Sequence, residues 1–180
     1  MKQHKGYTLF ELVVTVSLLV IVLLGGTTIF FRSFRSSGVS DIQSTVNSGL
    51  RAVAEMIERT LRYGTVMRVI DSDGVQKTRE DCILAAKNNE GVVGYSLVVK
   101  DSVGGTAIYS LSDGVVSSNS GVVISSPDVY VTKMQFTWYC RSGVNDRINL
   151  LVEATSSATS GEGYSGELAR DINLLNSGIY

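Results

Sequence analysis

The sequence predicts an α+β chain in which a long N-terminal helix, membrane-embedded in its first half and amphipathic in its second, packs on an antiparallel β-sheet head. Three observations carry that expectation. Leu12 to Phe31 runs for twenty residues without a charge. Val39, Ile42, Val46, Leu50, Val53, Ile57 and Leu61 then recur at three- and four-residue intervals, the spacing of one helical face. Beyond Gly64 the period falls to two, most plainly in Val129–Cys140, where Met134, Phe136, Trp138 and Cys140 alternate with Gln135, Thr137 and Tyr139.

Twenty apolar residues in a helix span roughly 30 Å, the thickness of a hydrocarbon core. A secretory signal would be shorter and would end at small residues. Here the first alanine is Ala52, and Phe30-Phe31-Arg32 offers no such cut, so the segment stays attached as an anchor. Lys2 and Lys5 on one side face Arg32 and Arg35 on the other, which leaves its orientation unfixed by charge. At its start, Thr8-Leu9-Phe10-Glu11 has the [ST]-x-x-[DE] form of a capping box, and a helix N-terminus favours a negative charge.

Past the membrane, Asp41, Gln43, Ser44, Asn47, Arg51 and Glu55 fill the face opposite the apolar stripe. Ser36-Ser37-Gly38 reads as a bend between the two halves, and Gly64 fits the end of the element. A single helix from Thr8 to about Tyr63 would be on the order of 80 Å long. Strands follow at Val66–Ile70, Val92–Val99, Ala107–Leu111 and Val115–Ile124, the last broken by Ser117–Gly121. Asp71-Ser72-Asp73-Gly74 is a turn sequence. Ile148, Leu150, Val152 and Ala154 alternate in another strand, and Ser156–Gly166 is a loop by composition. In Glu167–Asn176, Leu168, Arg170, Ile172 and Leu174 share a face. An antiparallel sheet with one face covered by an amphipathic helix is a stable α+β layer.

Composition excludes several functions. A chain of 180 residues with net charge −1 has no electrostatic footprint for nucleic acid, and Arg59, Arg62, Arg68, Lys77 and Arg79 are interleaved with Glu58, Asp71, Asp73, Glu80 and Asp81. The one histidine, His4, precedes the anchor, so His-dependent nucleophile pairs are lacking and no metal-ligand spacing occurs. Asp71 and Asp73 fail the calcium-loop template, because Val75, Gln76 and Cys82 occupy its ligand, glycine and closing-glutamate positions. Glu80 and Asp81 fall in an expected loop among basic residues, where solvation explains them. Ser102-Val103-Gly104-Gly105-Thr106-Ala107 lacks the spacing and lysine of a phosphate loop. The chain is therefore expected to be neither an enzyme nor a cofactor carrier. Cys82 and Cys140 admit two readings, a disulfide if the C-terminal part is exported or two separate buried thiols. Tyr95, Tyr109, Tyr130, Tyr139 and Tyr164 read as half-buried sheet residues before they read as a contact surface.

Lys5-Gly6-Tyr7-Thr8-Leu9-Phe10-Glu11-Leu12, followed by an apolar helix, resembles the class III signal of type IV pilins and pseudopilins. The resemblance implies that a membrane prepilin peptidase cuts after Gly6 and N-methylates Tyr7. It implies that Glu11 matches the fifth-residue glutamate of the mature chain, which pairs with the terminal amine of a neighbouring subunit. A carboxylate drawn into apolar surroundings costs several kcal/mol unless it is paired, so such a partner would also set subunit register. Tyr7 stands where most relatives have Phe or Met. The helix lacks the midway proline of many relatives, and Gly25-Gly26-Thr27-Thr28, a weak helix former, occupies the stretch that unwinds in related filaments. Close helix packing is the other role open to Gly25 and Gly26.

The organisation so implied is a leader at 1–6, a transmembrane and assembly helix at 7–31, its amphipathic continuation at 32–64 and a β-rich head at 65–180. The implied function is a subunit of a type IV pilus or secretion pseudopilus, stored in the cytoplasmic membrane and then polymerised at the cell surface with like or related subunits. With no energy-coupling motif in the chain, the assembly ATPase and platform would come from other proteins. Two stretches, ERTLRYGTV and ARDINLLN, resemble features of the larger minor subunits. The competing expectation is a membrane-anchored extracytoplasmic binding module that never polymerises.

Overall fold

The computed structural model describes residues 8–101, 103–118, 125–156 and 164–175, with backbone alone at 34–39. It is α+β, as expected. Helix α1 (Leu9–Tyr63) leads into antiparallel strands β1 (Thr65–Ile70) and β2 (Gln76–Lys77) and helix α2 (Arg79–Ala86). Strands β3 (Val92–Gly94), β4 (Ser96–Lys100), β5 (Thr106–Ser112), β6 (Val115–Ser118), β7 (Val129–Arg141), β8 (Val144–Ser156) and β9 (Ser165–Asn173) follow. The chain divides into two units, Met1–Asp41 and Ile42–Tyr180.

In the first unit the apolar stretch Leu9–Ser33 is wholly helical and none of it is buried. At Ser36-Ser37-Gly38, expected as a bend, the backbone is helical. Residues such as Ser and Gly raise the cost of a helix by at most about 1 kcal/mol each, and here they are carried within a helix of 55 residues.

The second unit holds the core. Val46, Leu50, Val53, Ile57 and Leu61 are all buried, so the stripe does face the protein itself, with Ala54 added to it and Ile42 half-buried at its edge. Val39 lies outside the described side chains. The expected single sheet is in fact two, a five-stranded sheet ordered β2-β1-β4-β5-β6 and a four-stranded sheet ordered β3-β7-β8-β9. Both contribute to one core, joined by Leu97, Val99 and Tyr109 from the first and Phe136, Trp138, Ile148 and Leu150 from the second.

The run Val92–Val99, expected as one strand, is two strands in different sheets. At Gly94 the chain leaves β7 and crosses to β1, where the amide of Tyr95 donates to the carbonyl of Ile70 at 2.7 Å. A Cβ on Gly94 would stand 2.8 Å from Cβ of Val69, so glycine is what lets the two strands meet at this corner.

The longest hairpin, β7 and β8, shows how register is kept. Val129 and Val131 point inward, yet so do Met134, Phe136, Trp138 and Cys140, which have the opposite parity. A bulge between Val131 and Lys133 supplies the extra residue that reconciles them. Its counterpart in β1 lies between Val66 and Arg68, exposing Met67 and keeping Val66 and Val69 buried. Helix α1 is tied to the far edge of this sheet by Arg170 of β9, whose Nη1 lies 2.8 Å from Oε2 of Glu58. The amide of Leu175 donates to the carbonyl of Arg62 at 2.9 Å.

The segment expected as loop around Glu80 and Asp81 is instead α2. Its first turn is made by Thr78 and Asp81, where the Asp81 carboxylate accepts the Thr78 amide at 2.8 Å and the Thr78 hydroxyl at 3.2 Å. The turn at Asp71–Gly74 does form. Oδ1 of Asp71 accepts the amides of Asp73 and Val75, and Gly74 takes a φ of 78°.

Candidate functional site

The start of α1 is built by Thr8 and Glu11. The Thr8 Oγ1 accepts the Glu11 amide at 3.3 Å, and the Thr8 carbonyl accepts the Leu12 amide at 3.2 Å. Thr8 thus acts as the N-cap that satisfies donors otherwise left free at a helix start. Capping leaves the Glu11 carboxylate outward and exposed, between Phe10 and Leu12, which are themselves exposed. Gly6 and Tyr7 lie outside the described residues.

Between Leu12 and Phe31 the side-chain hydroxyls are satisfied within the helix. Hydroxyls of Thr15, Ser17, Thr27 and Thr28 donate to the carbonyls of Leu12, Val13, Leu24 and Gly25 at 2.8–3.0 Å. A hydroxyl bonded to its own helix adds no unpaired group to an apolar medium. Among the described residues this is one helix long and apolar enough to cross a membrane. Gly25 and Gly26 are helical here, with open space where a Cβ would stand. This surface, apolar all round, has one charged side chain between Leu9 and Phe31: Glu11.

Far along the chain, Cys82 of α2 and Cys140 of β7 form a disulfide, their Cα atoms 5.6 Å apart. Beside it lies a group that sequence reasoning missed. Asp146, its side chain fully buried, accepts the indole N–H of Trp138 at 3.3 Å and the Arg79 guanidinium through Nε at 3.3 Å and Nη2 at 3.4 Å. Its carbonyl accepts the amide of Leu174. Among the described residues no cluster of three or more metal-ligating side chains occurs.

Residues 1–27 match the prokaryotic N-terminal methylation motif, the class III signal of type IV pilins and pseudopilins. No curated protein and no solved structure matches the chain. The signal and the apolar helix together fit a membrane-anchored, pilin-like precursor that associates with other pilin subunits. A motif of this type points to a structural subunit rather than to an enzyme.

Proposed function

We propose that this chain, bearing the type IV pilin and pseudopilin signal at residues 1–27, is a filament subunit that is stored in the cytoplasmic membrane and polymerises through α1. A prepilin peptidase removes 1–6 by cutting after Gly6 and methylates the new N-terminus at Tyr7. The mature chain then consists of an assembly helix at 7–31, its amphipathic continuation at 32–64 and a head at 65–180. Layout and the two stretches ending the helix and the chain favour a minor subunit. The assembly ATPase and its platform act from other chains.

One observation carries the proposal: an apolar helical surface, Leu9–Ser33, of which none is buried by the chain itself, led by a single outward carboxylate. Such a surface needs lipid or sister helices to cover it. Lipid alone would satisfy the apolar residues but not Glu11. A terminal ammonium at Tyr7 of a neighbouring subunit supplies the missing partner, and it also fixes the axial step between neighbours. The disulfide between Cys82 and Cys140 supports a head on the oxidising side of the membrane.

The test is mass spectrometry of the N-terminal peptide, from whole cells and from material sheared off the surface. A methylated peptide beginning at Tyr7 in the sheared fraction is the expected result. A peptide beginning at Met1 or Lys2, recovered from membranes alone, would make the protein an anchored binding module instead. Gly6→Leu is expected to leave an uncut precursor in the membrane.

A further inference from the structure

An open cavity of about 390 Å³ lies between the C-terminal turn of α2 and the β7–β8 hairpin, lined among others by Asn89, Glu90, Tyr139, Arg141, Asn145 and Arg147. We propose that this cavity binds a small carboxylate-bearing sugar of the uronic-acid class. The site would operate on the head whether or not the chain polymerises.

Two guanidinium groups are fixed in its wall before any ligand arrives. Arg147 lies over the Tyr139 ring, with its Cζ 4.6 Å from the ring centroid. The ring is held from another side by Gly91, where a Cβ would come within 2.8 Å of Cε1 of Tyr139. Arg141 donates from Nη2 to Oδ1 of Asn89 at 3.4 Å. Among the described residues neither arginine has a carboxylate partner. Each therefore keeps N–H donors in the planar fork that carboxylates and phosphates fit.

The walls are also fixed to one another. Cys82 and Cys140 join α2 to β7 next to the cavity, and the contact of Arg79 with Asp146 joins α2 to β8. Little ordering remains to be paid for on binding, which favours a small ligand.

Charge and shape narrow the class. Two arginines against Glu90 leave one net positive charge on the wall, enough for one carboxylate. Glu90 would repel the second charge of a phosphate dianion, while it can accept a hydrogen bond from a hydroxyl. The amides of Asn89 and Asn145 add both donors and acceptors for hydroxyls. The volume is within the range of small-molecule sites and holds one pyranose ring.

The experiment uses the full-length protein in detergent micelles and follows its arginine Nε–H signals by NMR during titration with D-glucuronate, D-glucose or inorganic phosphate. Glucuronate is expected to shift the Arg141 and Arg147 signals saturably, and glucose is expected to leave them in place. Arg141→Ala and Arg147→Ala should each weaken glucuronate about tenfold or more, the loss of a charge-assisted hydrogen bond. Arg147→Lys, which keeps the charge without the fork, should recover part of that loss. Both side chains are exposed, and an unchanged Arg79 signal checks that each variant is folded. The proposal is overturned if glucuronate at 10-fold excess over the roughly millimolar range expected of a small weak ligand gives no shift, if glucose shifts the signals equally, if the alanine variants bind unchanged, or if phosphate binds more tightly than glucuronate.

Discussion

The Asp146 carboxylate accepts the indole N–H of Trp138 at 3.3 Å, in a place where its side chain has no access to solvent. Arg79 reaches the same carboxylate from the start of α2, so one buried acid links a helix, both strands of the long hairpin and, through its carbonyl, the C-terminal strand's exit at Leu174. Asp146→Ala would leave the buried indole N–H of Trp138 without this acceptor and would take the carboxylate away from the largely covered Arg79 guanidinium. Breaking a buried pair from one side costs about 3–5 kcal/mol. Because the Arg79 side chain is 29% exposed and can take up water, the lower end of that range is expected. Chemical denaturation measures it, and a loss under about 1 kcal/mol, the size of an ordinary exposed pair, would show that Asp146 does not hold this corner together.

The disulfide acts on the same corner by a different route. Cys82 and Cys140 are 58 residues apart, and closing a loop of that length in the unfolded chain contributes about 4 kcal/mol on the chain-entropy model. Replacing both by serine should lower stability by about 2–4 kcal/mol. Hydrogen exchange should accelerate first in α2, the shorter of the two elements that the bond joins. Uniform acceleration across both sheets would mean that the bond stabilises the head as a whole and not this corner.

Asp81 makes the start of α2 sensitive to acid. Its carboxyl is held below its ordinary value of 3.8, first by the Thr78 amide and then by the Thr78 hydroxyl. A carboxyl with a depressed folded-state value stabilises the fold above its unfolded value, and that contribution is lost as pH falls through the depressed one. The α2 amides are therefore expected to exchange faster relative to those of β8 as pH drops below about 4. Asp81→Asn should remove that relative change while keeping an N-cap partner. An identical relative profile in the variant would assign the acid sensitivity elsewhere.

Much of this architecture is legible in the residues, and the misses have physical causes. The stripe from Val46 to Leu61 and the alternation from Met134 to Cys140 both mark buried faces, because helix and strand periods show directly which side chains share a side. The same parity run backwards from Ile148 puts Asp146 inside, a signal present in the sequence. Thr78-Arg79-Glu80-Asp81 has the same capping form as Thr8–Glu11 and announces α2. The partners of Asp146 are another matter. Arg79 is 67 residues away, and only the assembled fold brings it there. The crossing at Gly94 is hidden for a similar reason, since apolar residues stand on both sides of it and nothing local marks the change of sheet. The bulges that reset β1 and β7 depend on what the neighbouring strand offers, which no local pattern contains. At the N-terminus the reverse holds, and the motif says more than the geometry of a lone chain, because the partner proposed for Glu11 belongs to another subunit.

That asymmetry sets the decisive prediction for Glu11. If Glu11 served its own helix alone, Thr8 would still cap the Glu11 amide after the carboxylate was removed, and Glu11→Ala would change little. If the carboxylate pairs with a neighbour's terminal amine, Glu11→Ala should leave membrane insertion and cutting after Gly6 intact and lower recovery in filaments. Removing one partner of a charge pair in apolar surroundings is worth more than about 1.4 kcal/mol, which corresponds to at least about a tenfold drop in incorporation. The measurement is the ratio of sheared to membrane-bound protein, wild type against variant, at matched expression. Glu11→Asp, which keeps the charge on a shorter arm, should fall between them. Equal ratios for wild type and Glu11→Ala would return Glu11 to a role at the start of its own helix, and the apolar surface behind it would then be covered by lipid alone.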